Sequence, residues 1–220
     1  MNSLTNIIDV QVPENLYIKN PRESRVGKDI LAHGAAMIAK CGIEAFNFKK
    51  LASECQCTEA TIYRYFENKH KLLLYYLNLF WGWQEYFMVM RTHSIEEPGK
   101  RLKEVVSVLS HPEIPSNTDP AYGANIVEIA TSEGVKIHLS REVGAEITDG
   151  SMFVYYRLLK RISKFISDKK PKYKYPDTLA ITIMDAALQT KFYQDRYPEL
   201  AVNIHNAKSS GDFLFSLIPD

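Results

Sequence analysis

Two short helical patterns, separated by a very short connection, constrain this chain more than any other feature. The second pattern, Thr58–Lys69, reads Thr-Glu-Ala-Thr-Ile-Tyr-Arg-Tyr-Phe-Glu-Asn-Lys. Thr58 stands where an N-cap side chain accepts a hydrogen bond from the first helical turn. Ile62 and Phe66 are four apart and share one helical face, which is apolar and has to be buried. The other faces carry Glu59, Ala60, Thr61, Tyr63, Arg64 and Tyr65, where an ordinary surface helix carries Lys and Glu. Such side chains can reach phosphates and base edges without crowding a groove. Asn68 then caps a new helix that opens with Lys69, His70 and Lys71. Taken alone, the stretch fits equally a surface turn between two core helices, with Tyr63 and Tyr65 half buried.

The preceding pattern shifts that balance. Asn47 can cap a helix through Phe48-Lys49-Lys50-Leu51-Ala52-Ser53-Glu54-Cys55, and Phe48, Leu51, Ala52 and Cys55 form one apolar stripe at i, i+3, i+4 and i+7. Gln56-Cys57 connects it to Thr58. Two short helices joined by a tight turn make a helix-turn-helix, whose second helix enters the major groove of DNA. Ala52 suits the crossing point, and Leu51, Cys57, Ile62 and Phe66 make the small core beneath.

From Phe48 through Leu51-Ala52, Cys55, Cys57-Thr58-Glu59-Ala60-Thr61-Ile62-Tyr63-Arg64-Tyr65-Phe66, Asn68-Lys69 and Leu72-Leu73, the chain resembles the DNA-binding segment of the tetracycline-repressor (TetR) family. The resemblance covers roughly residues 25–75. It departs at Gln56, a turn position usually filled by Gly, and at Cys55 and Cys57, usually Ala and Val. A non-Gly residue in a left-handed turn costs about 1 kcal/mol. The resemblance implies a homodimer on a double-stranded, palindromic operator, an unknown small-molecule effector, and phosphate contacts from Tyr63, Tyr65 and Lys69. Lys49 is a further phosphate candidate. Glu59, Ala60 and Thr61 are placed to meet base edges, with Thr58 near a phosphate or the helix N-terminus and Arg64 beside them.

Charge supports the same segment. The whole chain has a net charge of only +1, but residues 19–73 hold ten Lys and Arg against six Asp and Glu. Attraction to phosphates needs a local excess of this kind, not a basic whole protein. No apolar run is long enough to span a membrane, residues 1–20 lack a secretory-signal pattern, and Cys41, Cys55 and Cys57 cannot form a disulfide framework. The expected location is therefore the cytoplasm, with no membrane partner.

Residues 1–23 read as an arm. Ile7, Ile8, Val10, Val12, Leu16, Tyr17 and Ile18 have no helical period, which suits a loosely packed tail better than an arm partly packed on the helical body, and Lys19, Arg22 and Arg25 stand where basic arms reach phosphates. A helix over Ser24–Cys41 is stopped by Gly42. Asn68 to about Thr92 forms one long helix, apolar almost all round and so surrounded by others. Further helices are expected over Lys100–Leu109, Tyr122–Leu139, Ser151–Asp168 (capped by Ser151, with Phe153, Tyr156, Leu159, Ile162, Phe165 and Ile166 at core spacing), Thr178–Tyr197 and Asp212–Ile218. Glu133 is placed to pair with Lys136 or Lys103. No strand signal supports a sheet.

Other constellations are weak. Cys55-x-Cys57 lacks the second pair that a zinc site needs, and packing explains it better. The histidines (His33, His70, His93, His111, His138, His205) show no His-x-x-x-His pair, and no phosphate loop or nucleophile elbow is present. No enzyme activity, metal or cofactor is expected. The aromatic cluster of Trp83, Tyr86 and Phe87 with Trp81 is core or ligand box; His93, His111 and Tyr122 are candidates to orient a largely hydrophobic ligand there. Leu158, Leu159, Ile162, Ala187, Leu188 and Phe192 are candidates for a four-helix dimer interface.

The expected fold is all-α: an arm over 1–23, a helix-turn-helix DNA-binding domain over 24–67, and a helical ligand-binding and dimerisation domain over 68–220. The expected function is sequence-specific transcriptional regulation, with repression released by a small hydrophobic ligand. The alternative is a helical small-molecule-binding or redox-sensing protein whose head no longer reads DNA.

Overall fold

Four short polar side chains set the starts of the first four helices. Ser24, Asn47, Thr58 and Asn68 each accept a hydrogen bond from the backbone N–H three residues on, at Gly27, Lys50, Thr61 and Lys71. Each satisfies a donor that the first helical turn cannot. The helices they open are α1 (Arg25–Ala45), α2 (Phe48–Glu54), α3 (Glu59–Tyr63) and α4 (Lys69–Thr92). The structure, a computed structural model, describes residues 10–139, 141, 143–199, 202–204 and 207–218. Ile7, Ile8 and His205 lie outside the described residues.

Six more helices follow: α5 (Pro98–Ser110), α6 (Pro120–His138), α7 (Val143–Thr148), α8 (Phe153–Lys169), α9 (Pro176–Arg196) and α10 (Ala207–Ser216). Among the described residues every regular element is helical, with 3-10 turns at Glu14–Leu16, Pro21–Glu23 and Val202–Ile204. None of these helices is long and apolar enough to cross a membrane. The fold is all-α. α4 runs through the middle, against α5, α6 and α8; α9 covers α8 and α6, and α10 covers α5. Leu72 through Phe80 on α4 are all buried, including Asn78. The Asn78 amide donates to the Leu74 and Ser151 carbonyls, at 2.8 Å each, so burial leaves it satisfied.

The head is not separate from the body, because α1 packs along α6. Gly42, at φ 73°, breaks the helical course of α1, and Glu133 of α6 accepts there from the Ile43 N–H at 3.4 Å. Glu133 also pairs with Lys136 at 2.9 Å, one of its two expected partners. The first turn of α4 is tied to α7 and the turn after it: His70 meets Glu146, and Lys71 donates to Ser151 Oγ at 3.0 Å and lies 3.7 Å from Asp149. Further along, Glu85 of α4 pairs with Arg157 and Arg161 of α8.

Three expectations need correction. Ser151 does not cap α8; it is fully buried, Met152 holds the cap position, and the Ser151 hydroxyl accepts from Asn15 and Lys71 instead. The buried stripe of α8 runs through Val154, Tyr155, Leu158 and Ile162, while Phe153 and Tyr156 are exposed. The spacing is that of a helix, but Phe153 and Tyr156 lie on its outward face. The arm is not a loose tail from Val10 onward. Val12 and Leu16 are buried, and the Ile18 N–H donates to the Tyr65 carbonyl at 2.8 Å. Isolated apolar residues among prolines carry no period, so their burial is decided by the groove they meet.

Candidate nucleic-acid interface

α2 and α3 form the helix-turn-helix over a core of Leu51, Ala52, Ile62 and Phe66. The turn passes through Gln56 at φ 50°, the left-handed region that favours Gly, and it is the one non-glycine with positive φ among the described residues. Burial pushes the Cys55 thiol up to about 12, aided by neighbouring Cys57 and the Asp29 and Glu54 carboxylates. Burial raises the Cys57 thiol as well. Both therefore stay protonated and act as small apolar groups. No cluster of three or more metal-ligating side chains occurs among the described residues.

α3 is one short turn and a half, held by Thr58. The Thr58 hydroxyl accepts from the Thr61 N–H at 3.2 Å and lies 2.9 Å from the Thr61 hydroxyl. Thr58, Glu59, Ala60 and Arg64 are exposed, Thr61 is half-buried, and Lys49 is exposed on α2. Tyr63 leans its ring edge on Phe48, centroids 5.1 Å apart, and remains 47% exposed. These residues flank the N-terminus of α3, where the Thr58 side chain satisfies one of the first-turn N–H groups, that of Thr61.

Two expected phosphate ligands have other work. Tyr65 is 5% exposed, and its hydroxyl is bonded to Ser24 Oγ at 2.7 Å. The Lys69 ammonium spends its three donors on the carbonyls of Ile43, Glu44 and Phe46, at 2.8, 3.3 and 3.4 Å. It thereby clamps the end of α1 to the start of α4. Of the arm cations, Arg22 is turned inward, donating to the Tyr75 hydroxyl at 2.7 Å and the Val10 carbonyl at 2.9 Å. Lys19 lies over the Tyr65 ring at 5.6 Å, and the Arg25 side chain projects almost fully into solvent.

Behind the head lies a cavity of about 370 Å³, open on one side. Leu31, Ala32 and Lys28 of α1 form one wall and Tyr75, Leu79 and Trp83 of α4 another. Val10 and Arg22 of the arm, the Asn117–Asp119 loop and Tyr122 of α6 close it. Of the expected ligand residues, Trp83 and Tyr122 line this space. Tyr86 and Phe87 pack on each other, half-buried, elsewhere on α4, while His93 and His111 are exposed and outside the cavity. Their side chains leave α4 and the α5 terminus on other faces, so nearness in sequence did not bring them together. Val10, Arg22, Leu31 and Leu79 had no sequence signal as lining residues; only the Asp119-Pro120 cap-and-proline pair marked a helix start here.

The expected dimer residues are also corrected. Leu158, Leu159, Ile162, Ala187 and Leu188 are at most 5% exposed within one chain. They join α8 and α9 to their own body. Phe192 is half-buried and lines a second, more polar groove of about 570 Å³ between α1, α6 and α9. The apolar groups that α8 and α9 leave outward are Phe153, Tyr156, Ile181 and Tyr193.

Residues 30–76 match the family model described as "Bacterial regulatory proteins, tetR family". No curated protein matches the chain by sequence. Solved structures share the fold over most of its length. AibR in complex with isovaleryl coenzyme A and operator DNA superposes with a TM-score of 0.59 at 18% identity, over 89% of this chain and 98% of that one. FadR, a fatty acid degradation regulator from Bacillus halodurans, gives 0.60 at 15% identity, over 91% and 95%. KstR2, a ketosteroid transcriptional regulator of Mycobacterium tuberculosis, gives 0.56 at 16%, over 90% and 96%. At these identities the likeness is one of fold. The helix-turn-helix head of this chain thus matches the bacterial tetR family of regulatory proteins, and the all-helical body behind it shares the fold of the solved regulators.

Proposed function

We propose that the chain is a sequence-specific, DNA-binding transcriptional regulator. In this reading it acts in the cytoplasm as a homodimer on a palindromic operator, represses, and is released by a small, largely hydrophobic effector. The observation that carries the proposal is the exposed first turn of α3. Glu59 and Ala60 are exposed beside the first-turn N–H groups of α3, of which the Thr58 side chain takes only that of Thr61, within a stretch, residues 19–73, that holds ten Lys and Arg against six Asp and Glu. Glu59 can accept from a cytosine amine, and Ala60 or the Thr61 methyl can touch a thymine methyl. Thr58, Tyr63, Arg64 and Lys49 surround that turn as phosphate ligands. AibR, solved on operator DNA, lends support.

One helix of five residues reads few base pairs, so two copies are needed for useful specificity. The outward Phe153, Tyr156 and Ile181 on α8 and α9 are the surface such a pairing would bury. α4 spans 24 residues, about 36 Å. It is long enough to carry a displacement from body to head, and half-sites accept recognition helices only about 34–36 Å apart. The test is a gel shift with the DNA upstream of the chain's own gene. Tyr63→Phe should weaken specific and random DNA alike, whereas Thr61→Ala should change the preferred site. Equal effects of both on all DNA would remove the base-reading role of Thr61, and no shift at all would reject the reading. Light scattering at micromolar concentration should report a dimer.

A further inference from the structure

The cavity behind the head is bounded by the arm, the head helix α1, the central helix α4, the Asn117–Asp119 loop and the start of α6. Its inner surface is apolar, from Leu31, Leu79, Val10 and Trp83. Its polar end is built from phenols. Arg22 holds the Tyr75 hydroxyl at 2.7 Å. Tyr122 stands close to both, and its hydroxyl makes no hydrogen bond among the described residues. Burial, with Tyr75 next to it, raises the Tyr122 phenol, so it is a protonated donor at any working pH. Lys28, Asn117 and Thr118 add polar groups to the lining, and an apolar space of this size with a few polar groups, among them the Tyr122 hydroxyl, is the usual form of a small-molecule site.

The arm gives the cavity a mechanical connection. Val10 sits so close to α4 that a Cβ on Gly82 would fall 2.1 Å from its Cγ1. From that contact the arm runs back to the recognition helix. There the Ile18 N–H and the Ser24 hydroxyl both bond Tyr65, just after α3. The same Arg22 that faces the cavity donates to the Val10 carbonyl at 2.9 Å. Whatever enters between α1 and α4 therefore bears on a strap that ends at the recognition helix.

We propose that this junction cavity is the effector site. It takes a small aromatic or aliphatic molecule carrying one hydrogen-bond acceptor, which Tyr122 receives, and occupancy reaches α3 through the arm and α1. This rests on the reading of the chain as an effector-responsive DNA-binding regulator. Acetophenone and ethylbenzene are suitable probes, since they share a ring and a two-carbon tail but only the ketone accepts a hydrogen bond.

Isothermal titration calorimetry should show both probes binding the wild type. Tyr122→Phe should weaken acetophenone about fivefold, one neutral hydrogen bond, and leave ethylbenzene unchanged. Ala32→Trp fills the cavity from an exposed position and should abolish both; if it does not fold, Lys28→Trp, exposed at the mouth, replaces it. Amide hydrogen exchange over residues 58–66 should change with acetophenone in the wild type and not in the filled variant. No heat with either probe, equal binding by the filled variant, or binding with unchanged exchange at 58–66 would each overturn the proposal. A failed gel shift with calorimetry and exchange as expected would instead reject the DNA-binding reading and leave the site standing.

Discussion

Gln56 offers a direct measure of strain in the helix-turn-helix. Its φ of 50° places a side-chain-bearing residue in the left-handed region. Its side chain is exposed and makes no hydrogen bond among the described residues, while its N–H donates to the Ser53 carbonyl at 3.2 Å. A substitution there changes backbone preference and little else. Left-handed backbone costs an L-residue about 1–2 kcal/mol. Glycine removes that cost but loses about 0.5–1 kcal/mol more on ordering. The net gain for Gln56→Gly is then about 0.5–1 kcal/mol, which for a chain of this length raises the melting temperature by roughly 1–4 °C. Asparagine tolerates the left-handed region and should fall between Gly and Gln, whereas Gln56→Ala keeps the strain and should be neutral. Thermal and urea unfolding followed by circular dichroism would rank the four. A Gly variant no more stable than the Ala variant would refute the strain, and with it the left-handed turn.

Three more outcomes are expected. Lys69→Met should cost about 1.5 kcal/mol of stability in urea unfolding, because three carbonyls lose a charged donor; unchanged stability with lost DNA affinity would return Lys69 to the phosphates. Iodoacetamide at pH 8 should modify exposed Cys41 first. Raising the pH from 7 to 9 should leave Cys55 unreactive in the folded protein, since its thiol stays protonated below about 12; rapid native labelling of Cys55 would contradict its burial. Phe153→Ser with Tyr156→Ser should lower the dimer fraction seen by light scattering without lowering the melting temperature of the monomer, as both side chains are exposed in one chain.

The sequence by itself determined what depends on neighbours in the chain. Helix starts at Ser24, Asn47, Thr58 and Asn68 were legible because a cap bonds a backbone group only three residues away. The buried pair Ile62 and Phe66 was legible because residues four apart share one helical face, whereas the left-handed turn at Gln56 was implied only by the family resemblance. The length of α4 followed from a stretch that is apolar almost all round, with no proline from its cap at Asn68 to Thr92. What tertiary structure decided was the use of each side chain once several faces competed for it. Tyr65 and Lys69 have the chemistry of phosphate ligands, but Ser24 and the end of α1 already engage their polar groups. Leu158 and Leu188 looked surplus to one buried stripe because a helix touched on two sides needs two stripes. The arm residue Val10 and the loop before α6 meet at one cavity although more than a hundred positions separate them. Nothing local encodes that meeting; it arises because α1, α4 and α6 pack together and leave a space that the arm then borders.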